Sequence, residues 1–386
     1  MLHLIISNLN LYLSTLKKIK YRISETERIT CEVEVNAQPE FKKAWKLNFI
    51  SYLKVFYGIF HLIFFRIGIK TKFIFHTVKH PSLIELFDKD EVLILSGNNQ
   101  KNVCKELNNN YFIYFGLLES LIIAKKYNFN LFALIYMYLF NFKIKKKKLL
   151  FFLYEDVLPI GAFLSMQIKS IHSRTIMIQH GYASKKSYLY ESNECDFYFL
   201  YDKNKIRPFA SKEKCIEIGL PFEASITSKF KKNIILVGTG LSGVNQSDYI
   251  DSLFIYNKIK TNLEKVYSVK YRPHPCENLN SYLNFGLDID NSLKSSLLSE
   301  DLKIFIGYES TLLYEAKCLG HICIYLIKNY SIEIDYNVDI FLSESDLNDL
   351  EWILPKLIKK KEFQNFALSS QLSLKNRFLN AIDSIS

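Results

Sequence analysis

Residues 307–320 read GYESTLLYEAKCLG, and they stand between two apolar runs, LKIFIGYES (302–310) and ICIYLI (322–327). The first run ends at Gly307. Ser310 or Thr311 is a good helix N-cap, TLLYEAKCL then follows as a helix, and Gly320 closes it before the next run begins. This is a strand–helix–strand unit, and such a connection joins parallel strands.

The same alternation extends in both directions. NIILVGTG (233–240) and VYSVKYRPHP (266–275) precede the unit, and an earlier series comprises EVLILSG (91–97), KLLFFLYED (148–156), RTIMIQHG (174–181) and DFYFLYD (196–202). Short β-branched and aromatic runs separated by longer helical patterns predict an α/β protein with parallel sheets. Between the two series lies IGLPFEASITSKFKK (218–232), which has no clear periodicity. The expected organisation is therefore an N-terminal domain over 1–228 and a C-terminal domain over 229–386, with the last helix able to pack back on the first.

In open α/β sheets ligands bind beyond the carboxyl ends of the strands. Those ends carry Glu155 and Asp156, His180 and Gly181, Gly238 and Gly240, Arg272 and His274, and Glu309, Ser310 and Thr311. In RPHP, Pro273 and Pro275 bar a helix and remove two backbone donors, so a stiff turn displays Arg272 and His274. GTGLSG (238–243) matches a dinucleotide fingerprint, but the next strand ends in RPHP instead of the acid that would hold a ribose, which argues for an anion and against NAD. The Ser310/Thr311 helix N-terminus offers hydroxyls and backbone N–H groups to a phosphate, or is simply capped. His180 is placed to act as a base or a phosphate donor, or is structural. Glu155 and Asp156 supply a general base, or cap the helix signalled by Pro159.

Composition narrows the classes. With 386 residues, 49% hydrophobic and 23% charged, the chain is a packed protein and not a disordered one. A net charge of +11 favours anionic partners. Seven scattered cysteines without a Cys-x-x-Cys pair give no support to metal ligation or a disulfide framework. The first twenty residues lack the basic segment and cleavage site of a secretory signal, so a cytoplasmic location is expected. LNFISYLKVFYGIFHLIFFRIGI (47–69) is interrupted by Lys54, His61 and Arg66, and LFALIYMYLF (131–140) is too short to span and is followed by KIKKKK (143–148). Two readings are open for these stretches: core helices beside a solvated basic turn, or a basic, aromatic flank resting peripherally on the anionic inner face of the plasma membrane.

YED, QHG, RPHP and YESTLLYEA, in this order, resemble the motifs of bacterial sialyltransferases and polysialyltransferases and, more distantly, of capsule Kdo-transferases and CDP-glycerol glycerophosphotransferases. The resemblance implies a GT-B fold, two Rossmann-like domains facing across a cleft. It implies Glu155 and Asp156 as the acidic motif that supplies the base, His274 and Pro275 as the His-Pro motif, and Ser310 and Thr311 as the hydroxyl motif that holds CMP. Val157 stands where that family has glycine. The glycerophosphotransferase resemblance instead makes His180 the base. Together these imply an inverting, metal-independent glycosyltransferase without a separate cofactor. It would move a nonulosonic acid such as sialic acid, or Kdo, from a CMP-linked donor to a hydroxyl of a surface glycan or glycolipid. Donor contacts are expected from Gly238, Gly240, Arg272, His274, Pro275, Ser310, Thr311 and Glu315. The rivals are a glycerophosphate or UDP-sugar transferase on the same fold, and a non-catalytic membrane- or nucleic-acid-binding protein. No recognised nucleic-acid motif accompanies the basic residues, so nucleic acid is not an expected partner.

Overall fold

A computed structural model describes residues 49–96, 100–107, 110–113, 149–154, 173–179, 195–201, 212–221, 227–238, 246–274, 277, 282–290, 297–298, 301–308, 310–327, 338–364 and 373–385, with isolated positions between. Elements are numbered in chain order among these residues.

The first sheet contains β1 (Phe73–His76), β2 (Val92–Ser96), β3 (Asn110–Ile113), β4 (Leu150–Leu153), β5 (Arg174–Ile178), β6 (Phe197–Leu200) and β7 (Cys215–Glu217). Its order is β3-β2-β1-β4-β5-β6-β7, and all neighbours are parallel. The second contains β8 (Thr227–Val237), β9 (Ser268–Arg272), β10 (Asp301–Gly307), β11 (Ile322–Leu326) and β12 (Ile340–Leu342), ordered β12-β11-β10-β8-β9 and again parallel. Strands such as β2 and β11 are buried along their whole length, which is why they read as unbroken apolar runs and not as alternating ones. Two doubly wound parallel sheets in one chain make this the GT-B arrangement.

The order reverses between β1 and β4 in the first sheet and between β8 and β10 in the second. Each reversal opens a crevice at the carboxyl edge, where ligands of such sheets bind.

Helices α2 (Pro81–Ile84) and α3 (Lys101–Glu106) lie in the first domain. In the second, α4 (Gln246–Leu263) joins β8 to β9, α5 (Thr311–Cys318) joins β10 to β11, and α6 (Leu350–Gln364) packs across β8, β11 and α4. The sequence signal for α5 translates directly into geometry. Ser310 is its N-cap residue, and it ends in a Schellman motif in which the N–H of His321 donates to Ala316 O (3.0 Å) and that of Gly320 to Lys317 O (3.1 Å). Gly320 has φ +95°, a conformation that glycine adopts without strain.

The final helix, α7 (Leu374–Asp383), belongs to the first domain's core. Its Phe378 ring lies 5.7 Å from Phe152 and 5.6 Å from Phe199, and Leu374, Ala381 and Ile382 are buried around it. The chain therefore crosses from the second domain back to the first. A further seam joins them: Tyr201, just after β6, stacks on Tyr314 of α5 with centroids 6.2 Å apart and rings 9° from parallel.

Three outcomes differ from the sequence reading. Strands β1, β3, β7 and β12 were not expected, being only three or four residues long. Strand β8 reaches back to Thr227, so part of the stretch read as an aperiodic linker is strand. Register shifts opposite Asp301–Ile304, with Lys232 at φ +55°, break the alternation that would have revealed it. Finally, α1 (Phe49–Phe64) is not a core helix, since only Ser51, Val55, Gly58 and Leu62 of its sixteen residues are buried. The stretches at 131–140 and 143–148 lie outside the described residues, apart from isolated positions.

Two histidines are built into the interior in neutral form. His321 is fully buried; its Nδ1 accepts from the backbone N–H of Lys303 (3.2 Å), its Nε2 donates to Leu297 O (2.8 Å), and burial pulls its pKa down to about 4. Burial takes His76 to about 3. Between these values and the ordinary 6.5 the unfolded chain binds protons that the folded chain refuses, so stability falls as the pH drops below 6.5. Urea unfolding should lose roughly 2 kcal/mol per histidine between pH 7 and pH 5. His321→Gln should flatten that slope, and an unchanged slope would remove His321 from the account.

Candidate functional site

The carboxyl edge of the second sheet is organised around Gly238. Strand β8 ends at Val237, and the Gly238 N–H donates to Arg272 O (2.8 Å), extending the ladder into the turn that follows β9. A Cβ on Gly238 would stand 2.7 Å from the backbone N of His274, 2.6 Å from Glu277 Oε1 and 2.8 Å from Tyr271 Oη. The first glycine of GTGLSG is thus required for close approach to the RPHP turn. Gly307 plays a related part on the other side of β8, where a Cβ would sit 3.0 Å from the Val237 side chain.

Beneath the turn, the N–H of Glu277 donates to His274 O (2.9 Å) and the carboxylate folds back under the chain. Tyr271 Oη donates to Glu277 Oε2 at 2.6 Å and Tyr249 Oη at 3.4 Å. Burial first, and then the charge of Glu277, raises the pKa of both phenols, which keeps them protonated as donors. Glu277 was not singled out from the sequence, because nothing in its spacing announces a carboxylate tucked under a proline-rich turn.

Arg272 is half-buried at the end of β9. Its Nη1 is buried without a hydrogen-bond partner among the described residues and lies 3.7 Å from Asp290 Oδ2, an ion pair too long for a hydrogen bond. Burial lowers the guanidinium pKa, while Asp290 and then Glu315 act to restore its charge. Asp290 arrives by a short parallel pairing along Tyr271, whose N–H donates to Asp288 O (2.6 Å) and whose carbonyl accepts from the N–H of Asp290 (2.7 Å). The alternation Leu287-Asp-Ile289-Asp was the available signal for this pairing. Next to Arg272, burial holds His274 below the usual histidine pKa, so its imidazole is predominantly neutral at pH 7.

On the other side of β8, Ser310 has extended backbone angles (φ −153°, ψ 138°), and its hydroxyl makes no capping bond. Thr311 opens α5, and Glu315, one turn later, lies close enough to Arg272 to act on its charge. Gly238, Arg272, His274, Ser310, Thr311 and Glu315 thus belong to one sheet edge, at the β8/β10 reversal. Gly240, Pro275, Glu155, Asp156 and His180 lie outside the described residues.

The residues that lead into the last three are described. Tyr154, buried at the end of β4, directly precedes Glu155, and β4 borders the reversal of the first sheet. Gln179 precedes His180 and is held at both ends: its N–H donates to Phe199 O (2.9 Å), and its Oε1 accepts from the N–H of Tyr201 (2.8 Å). At the same edge Thr77 has φ +68°, a strained conformation for a β-branched residue. Gln100 fixes the next residue by accepting from the Val78 N–H at 2.8 Å. This turn delivers His80, whose ring meets Tyr154 edge-on at 5.4 Å and whose Nε2 is 3.4 Å from Tyr201 Oη. His80, followed by Pro81 after a strand, escaped the sequence reading although it echoes the RPHP pattern.

No protein-family profile and no curated protein sequence matches the chain. Solved structures do resemble it in shape. The spinosyn forosaminyltransferase SpnP aligns over 82% of this chain and 99% of its own, with a TM-score of 0.50 and 9% identity. A glycosyltransferase from Rickettsia africae ESF-5 aligns over 81% and 97%, at 0.43 and 11%. The UDP-GlcNAc 2-epimerase of Methanocaldococcus jannaschii aligns over 82% and 100%, at 0.44 and 10%. At such identities the likeness to SpnP establishes the two-domain architecture and nothing about substrate.

Gly238→Ala should cost about 1–3 kcal/mol, because the added methyl meets the His274 backbone as well as the buried ends of Glu277 and Tyr271. Chemical denaturation measures the loss directly; wild-type stability in the variant would show that β8 and the RPHP turn are not in close contact.

Proposed function

We propose that the protein is an inverting glycosyltransferase that carries a nonulosonic acid such as sialic acid, or Kdo, from a CMP-linked donor to a hydroxyl of a surface glycan. The observation that carries this reading is the edge at the β8/β10 reversal. There a buried guanidinium nitrogen without a hydrogen-bond partner among the described residues, on Arg272, shares one crevice with a helix N-terminus whose serine hydroxyl makes no capping bond. Arginine, imidazole, hydroxyls and a helix N-terminus together suit a phosphate.

In this mechanism the second domain holds the nucleotide. Arg272 and His274 face the phosphate, while Ser310, Thr311 and the first turn of α5 donate to its oxygens. As the glycosidic bond to phosphate breaks, these fixed donors stabilise the charge that develops on the leaving CMP, and the chemistry requires no divalent ion. Glu315 reaches toward the donor ribose. Gly238 and Gly240 allow the chain to approach the nucleotide closely. On the facing domain Glu155 or Asp156, with His180 as the competing candidate, takes the proton of the acceptor hydroxyl, and the sugar inverts because attack comes opposite the leaving phosphate.

A thermal-shift panel of CMP, CDP, UDP, GDP and NAD tests the donor. A ligand at about 100 times its Kd stabilises by roughly 2.7 kcal/mol. CMP should raise the Tm selectively, and His274→Ala should abolish the shift. Selective stabilisation by UDP or CDP would replace the donor, and silence from all five would overturn the nucleotide site.

The neutral His274 adds a pH signature. A bound phosphate favours the imidazolium and raises a pKa that burial had lowered, so the ratio of wild-type to His274→Gln affinity for CMP should increase as the pH falls from 7.5 to 6, the variant correcting for titration of the CMP phosphate itself. A ratio that does not change with pH would separate His274 from the phosphate.

A further inference from the structure

Helix α1 carries an apolar face that the protein leaves in solvent. Its inner stripe, Ser51, Val55, Gly58 and Leu62, is buried, and His61 stacks on Phe112 of β3 at 5.0 Å, which holds the helix against the β3 end of the first sheet. The opposite face repeats at helical spacing as Phe49, Leu53, Phe56, Phe60 and Phe64. Their exposures run from 51% at Leu53 to 75% at Phe49. Aromatic side chains rarely cluster in water at this density without a partner.

The surrounding charge indicates which partner. From Phe41 to Lys72 the sequence contains seven lysines and arginines and no aspartate or glutamate. Acids elsewhere in the chain neutralise three of them: Lys54 pairs with Glu119 (2.9 Å), Lys70 with Asp90 (2.7 Å) and Lys72 with Glu91. Of the other four, Arg66 follows α1, and Lys42, Lys43 and Lys46 precede it in the sequence, outside the described residues. In a symmetric dimer built on this surface, each positive rim would meet its own copy. A bilayer with anionic headgroups offers both acyl chains for the rings and negative charge for the rim.

The sixteen described residues of α1 extend about 24 Å, against the roughly 30 Å hydrocarbon core. One face is also already committed to the protein, and among the described residues no helix is long and apolar enough to cross a membrane.

We infer that α1 is a monotopic membrane-docking helix, lying in the plane of an anionic bilayer with Phe49, Leu53, Phe56, Phe60 and Phe64 inserted at the headgroup–acyl boundary. The inference extends the reading above by fixing where the protein meets a lipid-linked acceptor, and it does not depend on which nucleotide the donor carries.

The test is co-sedimentation of the full chain with phosphatidylcholine vesicles, and with vesicles containing 30% phosphatidylglycerol (about one lipid in three, enough to give a clear surface charge). The comparison variant is Phe56→Glu/Phe60→Glu, both side chains being more than half exposed, with a thermal melt as its folding control. The wild type should pellet with the anionic vesicles, far less with neutral ones and less as salt rises. The double variant should partition at least tenfold more weakly, while its thermal shift with CMP is unchanged, which separates this inference from the nucleotide site. A wild type that stays in the supernatant overturns it, as does a variant that binds as well as wild type. A wild-type dimer that the variant splits, without vesicle binding, would assign the face to a second copy and overturn it too.

Discussion

The closeness of two chain ends sets the geometry of the second domain. Strand β8 is central and β9 lies beside it, and the N–H of Gly238 continues their ladder one bond further, to Arg272 O. Any side chain at position 238 would push the RPHP turn outward, because the nearest atoms include the His274 backbone. With the turn pressed against β8, Arg272 and His274 lie at the same crevice as the start of α5. Tyr271 and Tyr249 hold the turn from below through Glu277, at a carboxylate that their protonated phenols keep hydrogen-bonded.

This edge is also tied to the other domain. Tyr314, on the helix whose first turn faces the candidate phosphate position, stacks on Tyr201. Tyr201 in turn approaches His80 at the reversal of the first sheet, and its N–H donates to the side chain of Gln179, the residue before His180. One aromatic contact therefore links the helix proposed to hold the donor to the loops proposed to supply the base. The return of α7 to the first domain's core, through Phe378, adds a second tie between the two ends of the chain. A shift of α5 on nucleotide binding would have to move or break the Tyr201–Tyr314 stack.

The fold was legible in the sequence where strands are buried on both faces, since β2, β4, β5, β10 and β11 read as continuous apolar runs with polar or glycine ends. It was least legible at short or irregular strands. The register shifts of β8 scrambled its alternation, and β7 and β12 are only three residues long. Within the site, Arg272, His274, Ser310 and Thr311 were visible because proline and capping chemistry mark them. Glu277, Asp290 and His80 were not, because each reaches the site by tertiary packing. The aromatic stretch at 47–69 was ambiguous for a physical reason: apolar periodicity reports that a face must be covered, but not whether protein or lipid covers it.

The central claim is that the β8/β10 edge grips a phosphate. Calorimetric titration with CMP and with cytidine tests this most directly, because the two ligands differ only in that group. The account predicts that CMP binds the wild type at least about 100-fold more tightly than cytidine, as charge-assisted hydrogen bonds worth some 1.5–3 kcal/mol each allow. In Arg272→Lys, which keeps a charge beside Asp290 but loses the planar fork, most of that preference should vanish. Equal affinity for CMP and cytidine in the wild type would contradict the claim.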